Sequence, residues 1–491
     1  MGKISKILYS VLVCITVPAC AESGGAVTLQ TALGYETWDL PGDESMGMVR
    51  LGLSTGISPN LFGGVDLYGA VDGKRGGFFT FGFNGGWQSD PFGPIRVKAG
   101  LFAGAGGGGS APQGGGLMLR PYLEALWRLK NFSLGAGVSH VEFPSGEISS
   151  TQMYGTLYIP MKARFTGGWP LGTGYDAGEA EEGRLWDFMV MAGRYLVSDE
   201  SLTTGGRALE DMDWIGIEAH RYFDRRFYMG LSFSGAGGGD ADGYMDLFVG
   251  PGFETALGNT PLFVSLQGAL GMGGGGRVDT GGGAMWRIKG GIGIGLTDRF
   301  RAGIEGGRLE SFGGTFAADT LGAYLSYRSE WGGRGQGFGP ALWSVRGIEK
   351  THFSGKGDFK DPDRSDRIDM TGIAIDHYLT PRWYVTGQSL WAFAGGAGGY
   401  TEGLVGVGAR YELGDELGIW AETLLGVGGG GGVQTSDGVL GVFSAGVAKG
   451  LTDSVDVLIG GGYTGCSGGG LSTVDGTVQL RYRFETTRKI R

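Results

Sequence analysis

Residues 270–298, LGMGGGGRVDTGGGAMWRIKGGIGIGLTD, recur 155 positions later as LGVGGGGGVQTSDGVLGVFSAGVAKGLTD at residues 425–453. A more divergent copy, LFAGAGGGGSAPQGGGLMLRPYLEALWRLKN, occupies residues 101–131. Each copy has an alternating segment, a glycine run, a second alternating segment and a short polar turn. Glycine runs permit the positive φ and the sharp reversal of a hairpin tip. The pattern therefore predicts one type of β-hairpin, used repeatedly.

The repetition extends beyond this hairpin. Residues 216–228 match residues 372–384 at an offset of 156 positions. Repeats of this length predict three copies of a larger unit rather than isolated motifs. We predict β-repeats at 22–162, 186–330 and 342–485, linkers at 163–185 and 331–341, and a C-terminal tail at 486–491. Each repeat holds four hairpins, and in the first repeat the strands are expected at 28–37, 46–57, 61–71, 77–88, 94–105, 116–129, 132–143 and 151–162.

Alternation within the strands favours a membrane location. In residues 117–129, Leu123 and Trp127 share one face of the strand, whereas Arg120 and Glu124 share the other. Strands of about 9–12 residues suit a tilted crossing of the bilayer. The polar faces consist mostly of Gly and Ser, which are too small for a charged, solvated exterior. Lipid is therefore the expected cover of the continuous apolar face.

Composition excludes several classes of protein. The formal net charge of −10 argues against nucleic acid as a partner. The chain has 106 Gly but only 15 Pro and no Gly-X-Y period, which excludes collagen. Its 12% aromatic content is too high for a disordered glycine-rich linker.

The N-terminus predicts export. Lys3 and Lys6 precede a short apolar core, and Ala19-Cys20-Ala21 provides a signal-peptidase pattern, so residues 1–21 are expected to be a cleaved signal peptide. A lipidated Cys20 is the alternative. Cys466 is the one cysteine that certainly remains afterwards, so no disulfide framework is expected.

The mature chain resembles the outer-membrane β-barrel proteins of Gram-negative bacteria, a porin-like superfamily. The resemblance covers nearly the whole chain and is clearest at the end, where Val478, Leu480, Tyr482 and Phe484 alternate with polar residues. It looks like the C-terminal strand that barrel-assembly machinery recognises, although seven residues follow Phe484. The resemblance implies an integral outer-membrane location, with lipid, lipopolysaccharide and the assembly machinery as partners.

The number of barrels is open at this point. We predict an all-β, antiparallel up-and-down transmembrane barrel of about 24 strands, within the known range. The alternative is three tandem eight-stranded barrels, which side chains can fill. The abundant inward glycine argues against that alternative, because small barrels would be underpacked. In either case we expect these residues to face the lumen: Arg50, Arg96, Lys98, Arg120, Glu124, Arg128, Glu218, Arg287, Lys289, Glu305, Arg410, Glu422, Arg481 and Arg483.

A single wide barrel predicts a pore or an export channel, with a periplasmic or lumenal protein partner filling it. The alternative is a closed-barrel structural or surface-interaction protein. We expect no enzyme activity, no cofactor and no metal, because the four His lie in different hairpins without ligand spacing. Ser139-His140 and His377 are the residues on which an outer-membrane hydrolase would depend.

Overall fold

A computed structural model describes residues 26–167 and 182–490, apart from positions 240, 334, 336 and 415. The expected signal peptide, and residues 168–181 of the first expected linker, lie outside the described residues. In the described part the chain is almost entirely β-structure, with one 3-10 turn at Lys356–Asp358. No helix there is long and apolar enough to span a lipid bilayer.

The first repeat forms eight strands whose bounds lie within about three residues of the prediction. They are β1 Ala26–Leu40, β2 Glu44–Gly56, β3 Leu61–Asp72, β4 Phe79–Gln88, β5 Ile95–Gly107, β6 Leu117–Arg128, β7 Ser133–Glu142 and β8 Ser149–Arg164. A two-residue strand, β9 Thr166–Gly167, follows.

The second and third repeats also form eight strands each. The second has β10 Arg184–Val197, β11 Met212–Tyr222, β12 Phe227–Gly238, β13 Met245–Ala256, β14 Leu262–Gly274, β15 Ala284–Gly295, β16 Phe300–Ser311 and β17 Ala317–Trp331. The third has β18 Phe338–His352, β19 Ile368–Tyr378, β20 Trp383–Ala394, β21 Thr401–Glu412, β22 Leu417–Gly429, β23 Val439–Gly450, β24 Val455–Cys466 and β25 Ser472–Lys489.

Each repeat closes on itself. Strand β1 pairs with β8, β10 with β17, and β18 with β25, all antiparallel. The chain therefore forms three eight-stranded barrels, called barrels 1, 2 and 3 in chain order, and the single barrel of about 24 strands is wrong. At one end, Trp331 of β17 bridges to Arg488 of β25, which joins barrels 2 and 3 in one sheet.

Boundaries predicted from the sequence also need correction, since the expected linker at 163–185 contains the end of β8, all of β9 and the start of β10. The expected tail at 486–491 is strand as far as Lys489, because β25 continues its ladder with β18 to the pair Phe338↔Lys489. The same ladder moves the start of the third repeat from 342 to Phe338, inside the expected second linker.

The two ends of each barrel differ. The longer, glycine-rich connections, such as β3–β4 and β5–β6, lie at one end, called the loop end. The short connections, such as β2–β3, lie at the other, the turn end. There Asp224 Oδ1 accepts hydrogen bonds from the backbone N–H groups of Arg226 and Phe227, which lowers the pKa of this exposed carboxyl. Thr297 and Thr452 of the repeated Leu-Thr-Asp accept equivalent bonds.

The polar face is inside and the apolar face is outside. On β6, Leu123 and Trp127 are each 58% exposed, whereas Arg120 and Glu124 are each 1% exposed. On β15, Ile288 and Ile292 are exposed and Arg287 and Lys289 are buried. A water-soluble barrel has the opposite distribution, whereas a membrane barrel has this one.

Candidate functional site

Ion pairs fill the middle of barrel 1. Arg120 reaches Glu36 at 2.7 Å, and Arg50 reaches Asp66 at 3.0 Å. All four side chains are buried. The Arg120–Glu36 pair joins β6 to β1 across the interior, whereas Arg50 and Asp66 lie on the neighbouring strands β2 and β3. Such contacts are possible because eight strands leave a bore that is just wide enough for side chains.

Barrel 2 has a different network at the same depth. Lys289 lies between Glu218, at 2.6 Å, and Glu305, at 2.9 Å. The His220 ring also contacts Glu218, at 2.7 Å. Arg287 adds hydrogen bonds to neighbouring polar groups. A cavity of about 10 Å³ lies among these side chains, close to the space that one water needs.

At the turn end of barrel 2 the charges balance. Arg301 contacts Asp187 at 2.6 Å and Glu254 at 2.7 Å. Arg328 contacts the same two carboxylates at 3.1 Å. Two guanidinium groups therefore share two carboxylates.

Barrel 3 has clusters of charged side chains at more than one depth. In its middle, Arg346 lies 2.7 Å from both Asp376 and Glu422. Towards the loop end, His352 has Asp475 at 2.5 Å on one ring nitrogen and Glu402 at 2.7 Å on the other. Lys350 is 2.9 Å from the same Glu402.

Apolar side chains close the loop end of every barrel. Phe78, Tyr244 and Tyr400 are the last residues of the β3–β4, β12–β13 and β20–β21 connections, and all three are buried in separate hydrophobic clusters. In barrel 3 the long β18–β19 connection adds Phe359 to this cluster, and Arg364 lies over the Phe359 ring. The bore of each barrel is thus filled by ion pairs and then by an apolar cap.

Aromatic rings fill the space above several inward glycines. Tyrosine rings of neighbouring strands lie over them: Tyr228 covers Gly252, and Tyr384 covers Gly408 at the equivalent place in barrel 3. In barrel 1 a Cβ on Gly100 would lie 2.6 Å from the Tyr122 ring. Aromatic rings over cross-strand glycines are a known way to support curved sheets. The expectation of underpacked small barrels fails for this reason.

The residues expected to face the lumen lie in three separate interiors. The buried ones are Arg50, Lys98, Arg120, Glu124, Glu218, Arg287, Lys289, Arg410, Glu422 and Arg481. Arg96, Glu305 and Arg483 are half-buried, and Arg128 is exposed beside a turn. Sequence reasoning missed an equally important set of inward charges: Glu36, Asp66, Asp187, Glu254, Arg301, Arg346, Lys350, His352, Glu402, Asp456 and Asp475. Their position on alternate residues of each strand was the available signal.

The glycine-rich loops hold the barrels together. The second loops (73–78, 239–244 and 395–400) each enter the third loop (108–116, 275–283 or 430–438) of another barrel. Gly77 packs on Gly275, Gly243 on Gly430 and Gly399 on Gly108. These are equivalent positions, so the contacts run from barrel 1 to 2, from 2 to 3 and from 3 back to 1.

Glycine is required at these contacts for two reasons. Gly77, Gly243 and Gly399 have φ of 83°, 87° and 88°, which L side chains rarely adopt. A Cβ on Gly243 would also lie 2.8 Å from the nitrogen of Gly430, and one on Gly399 would lie 2.9 Å from that of Gly108. The backbones therefore meet directly.

Side chains complete the three-way interface. One apolar cluster includes Leu67 and Phe79 of barrel 1, Met272 of barrel 2, and Trp391 and Phe393 of barrel 3. It lies where the outer faces of the three barrels meet beneath the loops.

Each contact between loops has its own polar bond. Asp242 of barrel 2 accepts from Lys360 of barrel 3 at 2.7 Å. Gln113 of barrel 1 donates to the Gly398 carbonyl at 2.9 Å. The Gly76 amide donates to the Gly281 carbonyl at 2.8 Å. The three contacts therefore share a backbone geometry and differ in chemistry.

The candidate hydrolase residues do not form a nucleophile–base pair. Ser139 points into barrel 1 and donates to Glu36 at 3.0 Å, whereas His140 points outward to Thr151. Adjacent residues of a strand face opposite sides. His377 packs against the rings of Trp331 and Trp343.

No protein-family model matches the chain, and no curated protein matches it either. Solved structures similar to it include the outer membrane protein opdK of Pseudomonas aeruginosa, with 10% identity over 94% of this chain and 99% of that one, TM-score 0.22. A ferric enterobactin receptor (PfeA) variant from the same organism has 9% identity over 94% and 81%, TM-score 0.26. A designed transmembrane β-barrel has 10% identity over 29% and 94%, TM-score 0.20.

TM-scores this low establish no shared fold, so the architecture rests on the chain's own strand pairing. By that pairing, the chain is an all-β protein of three closed antiparallel barrels, each with an apolar exterior and a charged interior.

Proposed function

We propose that this protein is an integral outer-membrane protein whose three closed barrels form a structural and surface-interaction platform. The observation that carries the proposal is the inverted distribution of side chains, with exposed leucine and tryptophan outside and buried ion pairs inside. Every backbone polar group of a membrane-crossing segment must be satisfied internally, and closed barrels do this. Lipid and lipopolysaccharide would cover the apolar exteriors.

The loop end is proposed to face the cell exterior, because longer connections are extracellular in such barrels. The fused glycine-rich loops would then form a single surface for contact with lipopolysaccharide or another cell. The periplasmic turn end, a cleaved signal peptide and insertion by barrel-assembly machinery belong to the same proposal. Labelling a cysteine at exposed Ser365 on intact cells with a membrane-impermeant maleimide tests the orientation.

Closure of the barrels favours this role over a wide channel. The interior of each barrel is occupied by charged pairs in its middle and by an apolar cluster at the loop end. A lumenal protein partner has no room inside an eight-stranded barrel. A transport function remains a prediction, and it would require these side chains to move.

Planar-bilayer conductance of the purified, folded protein tests the two functions. We expect no openings above the background of protein-free bilayers. Reproducible conductance steps from folded protein would contradict the closed platform and support a channel. Removing an interior pair with the double variant Arg120→Ala/Glu36→Ala should leave the bilayer silent as well, because the apolar cap of barrel 1 remains.

We also propose that the protein is not an enzyme. The opposite orientation of Ser139 and His140 supports this view. Assaying lipase and deacylase activity in the folded protein tests it, and turnover that disappears in His140→Gln would contradict it.

A further inference from the structure

Barrel 3 has an open pocket of about 320 Å³ at its turn end. It is lined by Pro381, Arg382, Arg410, Tyr411, Glu412 and Arg483. The described lining therefore carries three guanidinium groups and one carboxylate. A fourth arginine, Arg481, is buried behind it.

Two carboxylates near these arginines are already shared. Asp456 accepts from Arg481 at 2.8 Å and from Arg483 at 3.2 Å. Glu412 lies against Arg410. Positive charge thus exceeds negative charge among the described residues of the pocket and its wall.

The repeat makes the excess specific to barrel 3. Arg483 corresponds to Arg328 of barrel 2, and Arg410 corresponds to Glu254, the carboxylate that contacts Arg301 and Arg328. The position of Arg301 is in turn an acid in barrel 3, Asp456, so these two positions exchange an acid and a base. The additional positive charge of barrel 3 is Arg481, which stands where barrel 2 has Ser326. A packing role alone does not require this additional arginine, since barrel 2 packs the same place with balanced charges.

The pocket lies at the rim of the barrel. The exposed Tyr411 points outward, and the Arg382 guanidinium lies 5.2 Å from the centre of its ring. Tyrosine and arginine at this level are typical of the membrane–water interface. The planar guanidinium fork matches the oxygen geometry of a phosphate group.

We propose that this rim pocket binds a phosphate group, carried either by a soluble phosphate or by a lipid headgroup at the turn-end surface of the membrane. Arg382 and Arg410 bind the phosphate oxygens, and Arg483 forms the wall. The proposal depends on the pocket and not on whether the barrels conduct.

The test uses the folded full-length chain in zwitterionic detergent. Isothermal titration with inorganic phosphate and with glycerol 3-phosphate measures the soluble source. Native mass spectrometry counts bound phosphatidic acid, with diacylglycerol of the same acyl chains as the phosphate-free comparison. Binding in the titrations alone identifies a soluble phosphate as the ligand. Binding of phosphatidic acid alone identifies a lipid.

Arg382→Gln and Arg410→Gln should each weaken binding about tenfold or more, since a charge-assisted hydrogen bond is lost. Arg226→Gln is the matched control, because Arg226 occupies the same turn position in barrel 2, and it should leave affinity unchanged. Electrophoretic mobility without heating verifies that each variant is folded. No binding in either arm, or equal affinity in all three variants, would overturn the proposal.

Discussion

His352 illustrates how a charged side chain is accommodated inside these barrels. Both of its ring nitrogens face carboxylates, and the ring is fully buried. An imidazole that donates from both nitrogens carries a positive charge. Together with Lys350 it balances Glu402 and Asp475, so the cluster is neutral as a group.

Removing the positive charge of His352 should lower the free energy of unfolding. His352→Leu leaves two buried carboxylates against one lysine, and breaking a buried pair typically costs about 3–5 kcal/mol. We expect a lower urea midpoint for unfolding, followed by the mobility of unheated samples in electrophoresis. Phe353→Leu, at the exposed neighbour, is the control and should change little. A midpoint for His352→Leu equal to that of the control would contradict the electrostatic account.

The sequence identifies inward charges better than it identifies their partners. Alternation placed Arg120 and Glu124 on one face, and the structure buries both. Alternation could not predict that Arg120 contacts Glu36, because that contact depends on strand tilt and on closure of β8 onto β1. Arg346 of β18 was not among the residues predicted to face inward, although it lies on the inward face of its strand.

At the scale of a strand, glycine and tyrosine act as a pair. The ring of Tyr384 on β20 lies over Gly408 of β21 and occupies the space that a side chain there would need. The opposite face of β21 carries Gly403, where a Cβ would meet no other atom within 4 Å. The strand therefore has no room for a side chain at Gly408 but has room for one at Gly403.

Substitutions on β21 should separate the two roles. Gly408→Val drives methyl groups into the Tyr384 ring and should destabilise barrel 3 by about 1–3 kcal/mol. Gly403→Ala should be neutral, or stabilising by about 0.4–1 kcal/mol through the unfolded chain. Urea titration of both variants measures the difference. Equal losses would mean that the ring does not fill the Gly408 site.

Contacts between loops and between outer faces connect the three barrels to one another. A Cβ on Gly235 of β12 would lie 2.8 Å from Val427 of β22, with no closer contact inside barrel 2. Gly268, on the lipid-facing side of barrel 2, has open space around it. Substitutions at Gly235 and Gly268 therefore test the contact between barrels separately from the folding of barrel 2.

Gly235→Phe should separate barrels 2 and 3 at the loop end without unfolding either. Spin labels at exposed Thr204 and Ser365 report the distance between their loops, and the distribution should broaden in this variant. Gly268→Phe is the control and should retain the narrow distribution of the parent protein. An unchanged distribution in Gly235→Phe would show that the contact does not hold the barrels together.

For the whole molecule, the sequence predicted the three repeats and the eight strands of each, but favoured the wrong closure. Strand number, length and alternation are the same for one wide barrel and for three narrow ones. The distinction lies in whether β8 meets β1 or β10. Inward glycine suggested that narrow barrels would be empty, and tyrosines such as Tyr228 reverse that inference because their rings fill the space above glycine.

The closed ring of loop contacts between barrels 1, 2 and 3 also predicts the oligomeric state of the protein in detergent. Each second loop is already seated in a third loop, and head-to-tail contacts that close leave no free site for another copy. We expect native mass spectrometry to give the mass of one chain. A mass of two or three chains would show that some loop contact is made between molecules.

One consequence follows from the covalent joining of the three barrels. In a ring assembled from three identical chains, every substitution appears at all three contacts and must suit each of them. Here each contact is encoded separately, so Asp242 can meet Lys360 at one contact while Gly398 and Gly76 occupy the same position at the others. A single chain is thereby free to specialise one barrel, as the Glu254 and Arg410 positions illustrate, while the other two keep the assembly intact.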